Sequence, residues 1–227
     1  MSRLIVVVSA GLGVPSSTRN LADQLADATQ AQVTSRGEAA EIRHIALRDL
    51  TLDLAQAMAG GGLSSPALTE AKELVAAADG LIAVSPVFSA SYSGLFKMFW
   101  DAVDPGSIEG TPVLLAATAG TPRHSLMIEH AMRPLFAYLR AVTVPTGVFA
   151  ATDDFGAGEG GRDLQDRVRR AASQLATLLL ADESAVAGFA ERDEDRLAKR
   201  ASRAGTSIST GETGFQSLLR RHGGHGA

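Results

Sequence analysis

The segment Ser9-Ala10-Gly11-Leu12-Gly13-Val14-Pro15-Ser16-Ser17-Thr18-Arg19-Asn20 sets three consecutive hydroxyls and a guanidinium just after two glycines. It follows an apolar run, Leu4 to Val8, and precedes a helical spacing of Leu21, Ala22, Leu25 and Ala28. It therefore joins a strand to a helix. A helix N-terminus offers unpaired backbone N–H groups and the positive end of its dipole, and together these attract an anion. Ser16, Ser17 and Thr18 can add hydrogen bonds, Arg19 a charge, and Gly11 and Gly13 a tight turn. Walker A is excluded, because no Gly-Lys-Ser/Thr closes the loop. The dinucleotide fingerprint starts as Gly11-x-Gly13, but Ser16 stands where its third glycine belongs. Glu41–Leu47 also lacks the terminal acid that would bind a ribose; Asp49 comes two residues later. A monophosphate suits these hydroxyls. A plain helix cap by Ser17 or Thr18, with no ligand, accounts for them too.

Two further loops are polar in the same way. One is Pro86-Val87-Phe88-Ser89-Ala90-Ser91-Tyr92-Ser93-Gly94; the other runs from Thr118 through Ala119, Gly120 and Thr121 to His124. Phe88 is a ring in a loop, open either to a ligand or to core filling. Tyr92 reads as a cap or a subunit contact, Lys97 as a solvated helix residue, and Phe99 and Trp100 as packing. His130 reads as structural. Glu73, Asp79 and Asp104 lack any spacing that would make a carboxylate pair or a metal site, and no metal is expected.

The elements that position these loops follow from periodicity. Leu4–Val8, Glu41–Leu47, Gly80–Ser85, Pro112–Thr118 and Val142–Phe149 read as strands. Thr18–Ala31, Pro66–Ala78, Leu95–Val103, Ser125–Leu139 and Arg162–Leu180 read as helices, with Ser65 capping Pro66 at a first helical position. Residues 53–65, rich in Gly, Ala and Ser, read as an exposed connection. Ala190–Ala204 is charged and predicted helical, and the Gly/Ser/Thr-rich residues beyond it read as a solvated tail. Five strands alternating with helices define an α/β domain over residues 1–181, with a C-terminal extension over 182–227. Parallel sheets of this kind bind ligands outside the carboxyl ends of their strands. All three polar loops fall there.

Taken in order, the three loops resemble the NAD(P)H-dependent FMN reductase family of flavodoxin-like proteins. The likeness rests on Ser9–Asn20, on Ser85-Pro86-Val87-Phe88-Ser89-Ala90-Ser91-Tyr92-Ser93-Gly94-Leu95-Phe96-Lys97, and on Ala117-Thr118-Ala119-Gly120-Thr121-Pro122-Arg123-His124 with Ala131-Met132-Arg133-Pro134-Leu135 after it. It covers residue 3 to about 180 and is nearest to reductases that feed two-component flavin monooxygenases. This chain has Ala119 where the family usually has Gly, and Phe88 where Tyr is frequent, so a side-chain hydroxyl is missing there. The resemblance implies a five-stranded parallel sheet in the order 2-1-3-4-5 with helices on both faces. It implies that Ser9, Ser16, Ser17, Thr18 and Arg19 surround the FMN phosphate. Pro86, Val87, Phe88 and Ser89 would line the isoalloxazine, and Thr118, Ala119, Gly120, Thr121 and His124 would approach its other edge. NAD(P)H would reduce the flavin N5. No catalytic residue is nominated, because the cofactors carry the chemistry and the protein supplies position. A homodimer or homotetramer through helix 125–139 is implied as well, with a flavin-dependent monooxygenase as possible partner.

Composition limits the field. The chain has 227 residues, no cysteine, and a net charge of −4. Disulfides, thiolate metal sites and cysteine nucleophiles are excluded, and there is no basic footprint for nucleic acid. No apolar run reaches membrane-spanning length, and Leu4–Val8 is too short for the apolar core of a signal sequence. A cytoplasmic protein is the expectation. Two other functions fit the same loops: a quinone or azo-dye reductase that retains FMN, and a flavodoxin-type electron carrier without nicotinamide turnover.

Overall fold

In the computed structural model, residues 2–156 and 158–181 are described; the predicted extension over 182–227, its helix included, lies outside them. The central strand β1 (Ser2–Ser9) is flanked in parallel by β2 (Ala39–Ala46) and β3 (Gly80–Phe88). β5 (Pro112–Ala119) continues the sheet on the far side of β3, followed by β6 (Val142–Thr143) and β7 (Val148–Ala151), both parallel to β5. The short β4 (Ser91–Tyr92) runs antiparallel to the end of β3. The main order is thus 2-1-3-5-6. Leaving out β4 and counting β6 with β7 recovers the expected order. The direction of travel reverses between β1 and β3.

Alternation explains why both faces are covered. Val6 and Val8 point to one face, with Leu81, Ala83, Val113 and Leu115. Ile5 and Val7 point to the other, with Ile82, Val84, Leu114 and Ala116. On the second face lie α1 (Ser17–Thr34), through Leu21 and Leu25, and α6 (Glu159–Leu180), through Leu164, Val168 and Leu175. The first face carries α2 (Thr51–Ala59), α3 (Pro66–Ala77), α4 (Gly94–Ala102) and α5 (Arg133–Tyr138). Strands apolar on both sides are what a doubly covered parallel sheet requires. Trp100 sits edge-on to Phe136 at 4.7 Å and to Phe99 at 5.3 Å, deep in the first face. Phe99 and Trp100 are packing, as their spacing indicated.

Three expectations are corrected. Residues 53–65 are not one exposed connection, because α2 covers 51–59 and buries Leu54 and Ala57. Their three-residue spacing is a helical stripe within an Ala-rich segment, and the glycines at 60–62 end it. The fifth strand is broken, since Val144 to Gly147 separates β6 from β7. Pro145 has no N–H for a ladder, and the Arg133 guanidinium binds the Val144 carbonyl at 2.8 Å and the Thr143 hydroxyl at 3.0 Å instead. The predicted helix 125–139 is likewise not continuous. A short tight turn at Pro122–His124 precedes a widened π-turn at Ile128–Met132, and only then does α5 begin. Pro134 cannot donate to the residue four positions back, and a widened turn absorbs that lost bond. Met127, Phe136 and Leu139 face inward, leaving Leu126 and Tyr138 exposed. The apolar surface offered to a second copy is smaller than the sequence suggested.

Candidate active site

Three strand ends set the site. β1 ends at Ser9, and Ala10 donates to the Val84 carbonyl of β3 at 3.0 Å, so the first loop leaves the sheet beside β3. Gly11 is confined. A Cβ there would stand 2.2 Å from Ser16 Oγ and 3.0 Å from Thr18 Cβ. This close approach folds the loop onto the start of α1. Ser16 is the N-cap, its Oγ accepting from the Arg19 N–H at 3.2 Å. The amides of Ser17 and Thr18 have no acceptor among the described residues. They are the two free donors of the helix dipole's positive end.

Arg19 is held by one side of its guanidinium. Its Nε donates to Asp23 Oδ1 at 2.7 Å, one turn along α1, which leaves both Nη groups without a partner among the described residues. His44, on β2, brings its Nδ1 to 3.7 Å from the same carboxylate oxygen. Burial holds the His44 pKa below the ordinary value, the Arg19 charge adds to that, and Asp23 and Asp27 oppose it. A cleft of about 630 Å3 lies over the β1–β2 side of the loop, with Ser9, Ser16, Arg19, Asn20, Asp23 and Arg48 among its lining residues.

The second and third loops lie on the other side, over β3 and β5, and do not line that cleft. A side-chain hydrogen bond joins the third to the first. Thr18 Oγ1 and Thr118 Oγ1 are 2.8 Å apart and both buried, tying the start of α1 to the end of β5. Pro86 is in register with Thr118. Beyond Pro86 the chain is not the plain loop that was expected. Val87 and Phe88 pair with Tyr92 and Ser91, and the two-residue turn between them holds Ser89 at φ +48° and Ala90 at φ +66°. Each left-handed L-residue costs on the order of 1 kcal/mol or more. Phe88 stays half-exposed at 47%, and Tyr92 packs its ring on Phe96 at 5.7 Å. Lys97 pairs with Asp101 on the surface of α4.

The structure thus brings together Ser9, Ser16, Ser17, Thr18 and Arg19 at one loop, and joins them through Thr118 to Ala119 and Pro86. Gly120, Thr121 and His124 are exposed on the third loop, and the His124 side chain makes no hydrogen bond or ion pair with the other described residues. Four residues that matter to this geometry were given no role in the sequence reading: Asp23, Arg48, Ser85 and Ser93. Asp23 was legible as an i, i+4 partner of Arg19. Ser93 was legible as a cap three residues before Phe96, whose N–H it accepts at 3.2 Å.

A phosphate monoester fits what is present: two free amides, the hydroxyls of Ser16 and Ser17, and a guanidinium with two open donors, on a glycine that admits close approach. Parallel-sheet order and strand-end loops define a flavodoxin-like α/β protein, with this cluster of anion-compatible donors at the point where strand order reverses. The model of the NADPH-dependent FMN reductase family matches residues 3–156, and the chain belongs to that family. It is 38% identical over 178 residues to FMN reductase (NADPH) of Pseudomonas aeruginosa, spanning 77% of this chain and 91% of that protein. It is also 38% identical over 151 residues to NADH-dependent FMN reductase SfnF of Pseudomonas putida, across 66% of this chain and 78% of the other. Among solved structures, an oxidoreductase from Corynebacterium diphtheriae matches with 48% identity and a TM-score of 0.76, over 79% of this chain and 98% of that one. An NADH:FMN oxidoreductase in its apo form matches at 29% identity and a TM-score of 0.63, over 75% and 88%. The protein is an NAD(P)H-dependent FMN reductase, an oxidoreductase that uses FMN and a reduced nicotinamide. Among the described residues no helix is long and apolar enough to cross a membrane.

Proposed function

We propose that the chain is a cytoplasmic reductase for which FMN is an exchanging substrate, and that it hands reduced FMN to a flavin-dependent monooxygenase. The observation that carries this is the open phosphate cradle, with Ser17 and Arg19 at the surface and the ring-side residues Phe88, Ser89, Gly120 and Thr121 exposed as well. A ligand held by donors on an open edge can leave it. In this reading Ser9, Ser16, Ser17, Thr18 and Arg19 hold the phosphate. Pro86, Val87, Phe88 and Ser89 form one wall for the ring, and Thr118, Ala119, Gly120, Thr121 and His124 form the opposite edge. Bound FMN supplies the hydride acceptor, so the protein needs no acid or base at the transferring atom. The chain's own task is to fix the ring so that the nicotinamide can stack within about 3–3.5 Å. A homodimer or homotetramer, built on exposed Leu126 and Tyr138, belongs to the same reading.

Steady-state oxidation of NADH and of NADPH with varied FMN tests it. The expected result is a preparation that loses its flavin on dialysis and shows saturable dependence on added FMN. Flavin retained through dialysis, with turnover independent of added FMN, would favour the quinone or azo-dye reductase instead. Absence of nicotinamide oxidation would leave the electron carrier.

A further inference from the structure

The hairpin at the end of β3 is too short to hold itself. It has two residue pairs, Val87 with Tyr92 and Phe88 with Ser91, closed by two L-residues in left-handed conformations. Even longer isolated hairpins are marginal in water, and a turn of this hand prefers Asn-Gly rather than Ser-Ala. The register sets Pro86 opposite Ser93 at the next rung. Proline has no N–H to give the Ser93 carbonyl, so only the half of that rung from the Ser93 N–H to the Pro86 carbonyl is open to bonding. Instead the Ser93 N–H donates to Ser85 Oγ at 3.0 Å, and Ser85 Oγ donates to the Pro86 carbonyl at 2.9 Å. The Ser85 side chain is inserted into the rung. Ser85 is fully buried and Ser93 is 1% exposed, so no water substitutes for the hydroxyl without opening the base of the hairpin. Ser93 then caps α4 through the Phe96 N–H, at 3.2 Å. One hydroxyl thereby joins the strand before the turn to the helix after it.

We propose that Ser85 is a positioning residue of the reductase. Its hydroxyl bridges the half-rung left at Pro86, from the Ser93 N–H to the Pro86 carbonyl, and so fixes the backbone of Pro86 to Ala90 in the orientation that receives the flavin ring. This rests on the proposed placement of the ring against that hairpin. Ser85 touches neither substrate; it acts through the peptide groups of Pro86 and Ser93.

The test compares Ser85→Ala, Ser85→Thr and Phe88→Ala in the full-length protein. It uses hydrogen exchange resolved over residues 86–93 without flavin, thermal unfolding, and steady-state kinetics with varied FMN. Ser85→Ala is expected to speed exchange over 86–93 by about tenfold or more, the consequence of a buried donor losing its acceptor. It should raise the FMN KM by a similar factor, with kcat at saturating FMN less affected. Ser85→Thr, which keeps the hydroxyl, should restore both. Unchanged exchange at 86–93 in Ser85→Ala would overturn the proposal outright. So would an FMN KM unmoved in Ser85→Ala while Phe88→Ala raises it, and the placement of the ring would then survive. Faster exchange with an unmoved KM in both variants would instead remove the hairpin from the flavin site and take the proposal with it. Thermal unfolding guards against a global effect: a loss of exchange protection spread through β1, β3 and β5 alike would also count against a local role.

Discussion

Gly11→Ala is the sharpest perturbation of the phosphate cradle, because its cost can be worked from two distances. The added methyl would lie 2.2 Å from Ser16 Oγ, well inside contact, and 3.0 Å from Thr18 Cβ. Ser16 can escape only by rotating its hydroxyl away, which gives up the cap on the Arg19 N–H and costs about 1 kcal/mol. Thr18 is buried against Thr118, so relieving the second contact strains that hydroxyl pair, at about 0.5–1.5 kcal/mol for a weakened hydrogen bond. The sum is about 1.5–2.5 kcal/mol, or a fall in melting temperature of roughly 3–10 °C for a domain of this size. FMN affinity should fall about tenfold or more, since the donors displaced are those that would meet a charged phosphate. The informative control is Gly11→Ala combined with Ser16→Ala, which removes the atom at 2.2 Å. The double variant should be no less stable than Gly11→Ala alone, a coupling of about 1 kcal/mol in a double-mutant cycle. Denaturant unfolding and FMN titration by calorimetry supply the numbers. Additive losses, or a Gly11→Ala protein with the stability and flavin affinity of the parent, would refute the packing argument and with it the cradle.

Arg19→Ala should raise the FMN Kd about tenfold or more in calorimetry. Its only pairing among the described residues is an exposed one with Asp23, so stability should move by less than about 1 kcal/mol; unchanged affinity would place the phosphate elsewhere. Ala90→Gly should stabilise the protein by about 1 kcal/mol in denaturant unfolding, because glycine meets no Cβ penalty at φ +66°; a loss would mean the turn is not strained. His44→Gln bears on acid stability. With the His44 pKa lowered by burial and by Arg19, the unfolded chain binds the proton more readily, so the neutral histidine's contribution is present above the ordinary value of about 6.5. It is lost as pH falls through the lowered folded value. The parent should therefore lose stability more steeply than the variant as pH falls below about 6.5, and parallel curves would contradict the burial argument.

How much of this was legible before any coordinates depended on the kind of residue. The strands were, because β1, β3 and β5 are apolar on both alternating faces and no helix pattern competes with them. The strand–helix junction at residues 9–20 was, because Gly-x-Gly and three hydroxyls interrupt an apolar run just before a helical stripe. The breaks in the fifth strand and in helix 125–139 were not read, although Pro145 and Pro134 mark both. Proline says that a backbone bond is missing without saying what replaces it, and here the replacement is tertiary, through Arg133 and a widened turn. α2 was missed because Gly and Ala dominate its surroundings and only Leu54 and Ala57 carry its burial. The hairpin was hidden for a different reason: Ser89-Ala90 is not a sequence that announces a left-handed turn.

The hydroxyls of the site divide into two populations that composition could not separate. Ser17, Ser89 and Thr121 are exposed and free for a ligand. Ser9, Thr18, Ser85, Ser93 and Thr118 are buried, and each of the last four makes a hydrogen bond within the frame. Thr18 and Thr118 share one bond between two hydroxyls, so together they retain one proton to offer, not two. A loop rich in Ser and Thr therefore overstates the number of side-chain donors available to FMN. On the reading proposed above, the difference falls to the backbone amides of Ser17 and Thr18 and to the two Nη groups of Arg19, none of which has a partner among the described residues. On the proposed reading, that division gives a physical reason for a reductase site without a catalytic side chain: buried hydroxyls tie α1 to β5 and β3 to α4, and the peptide groups so arranged would meet the ligand.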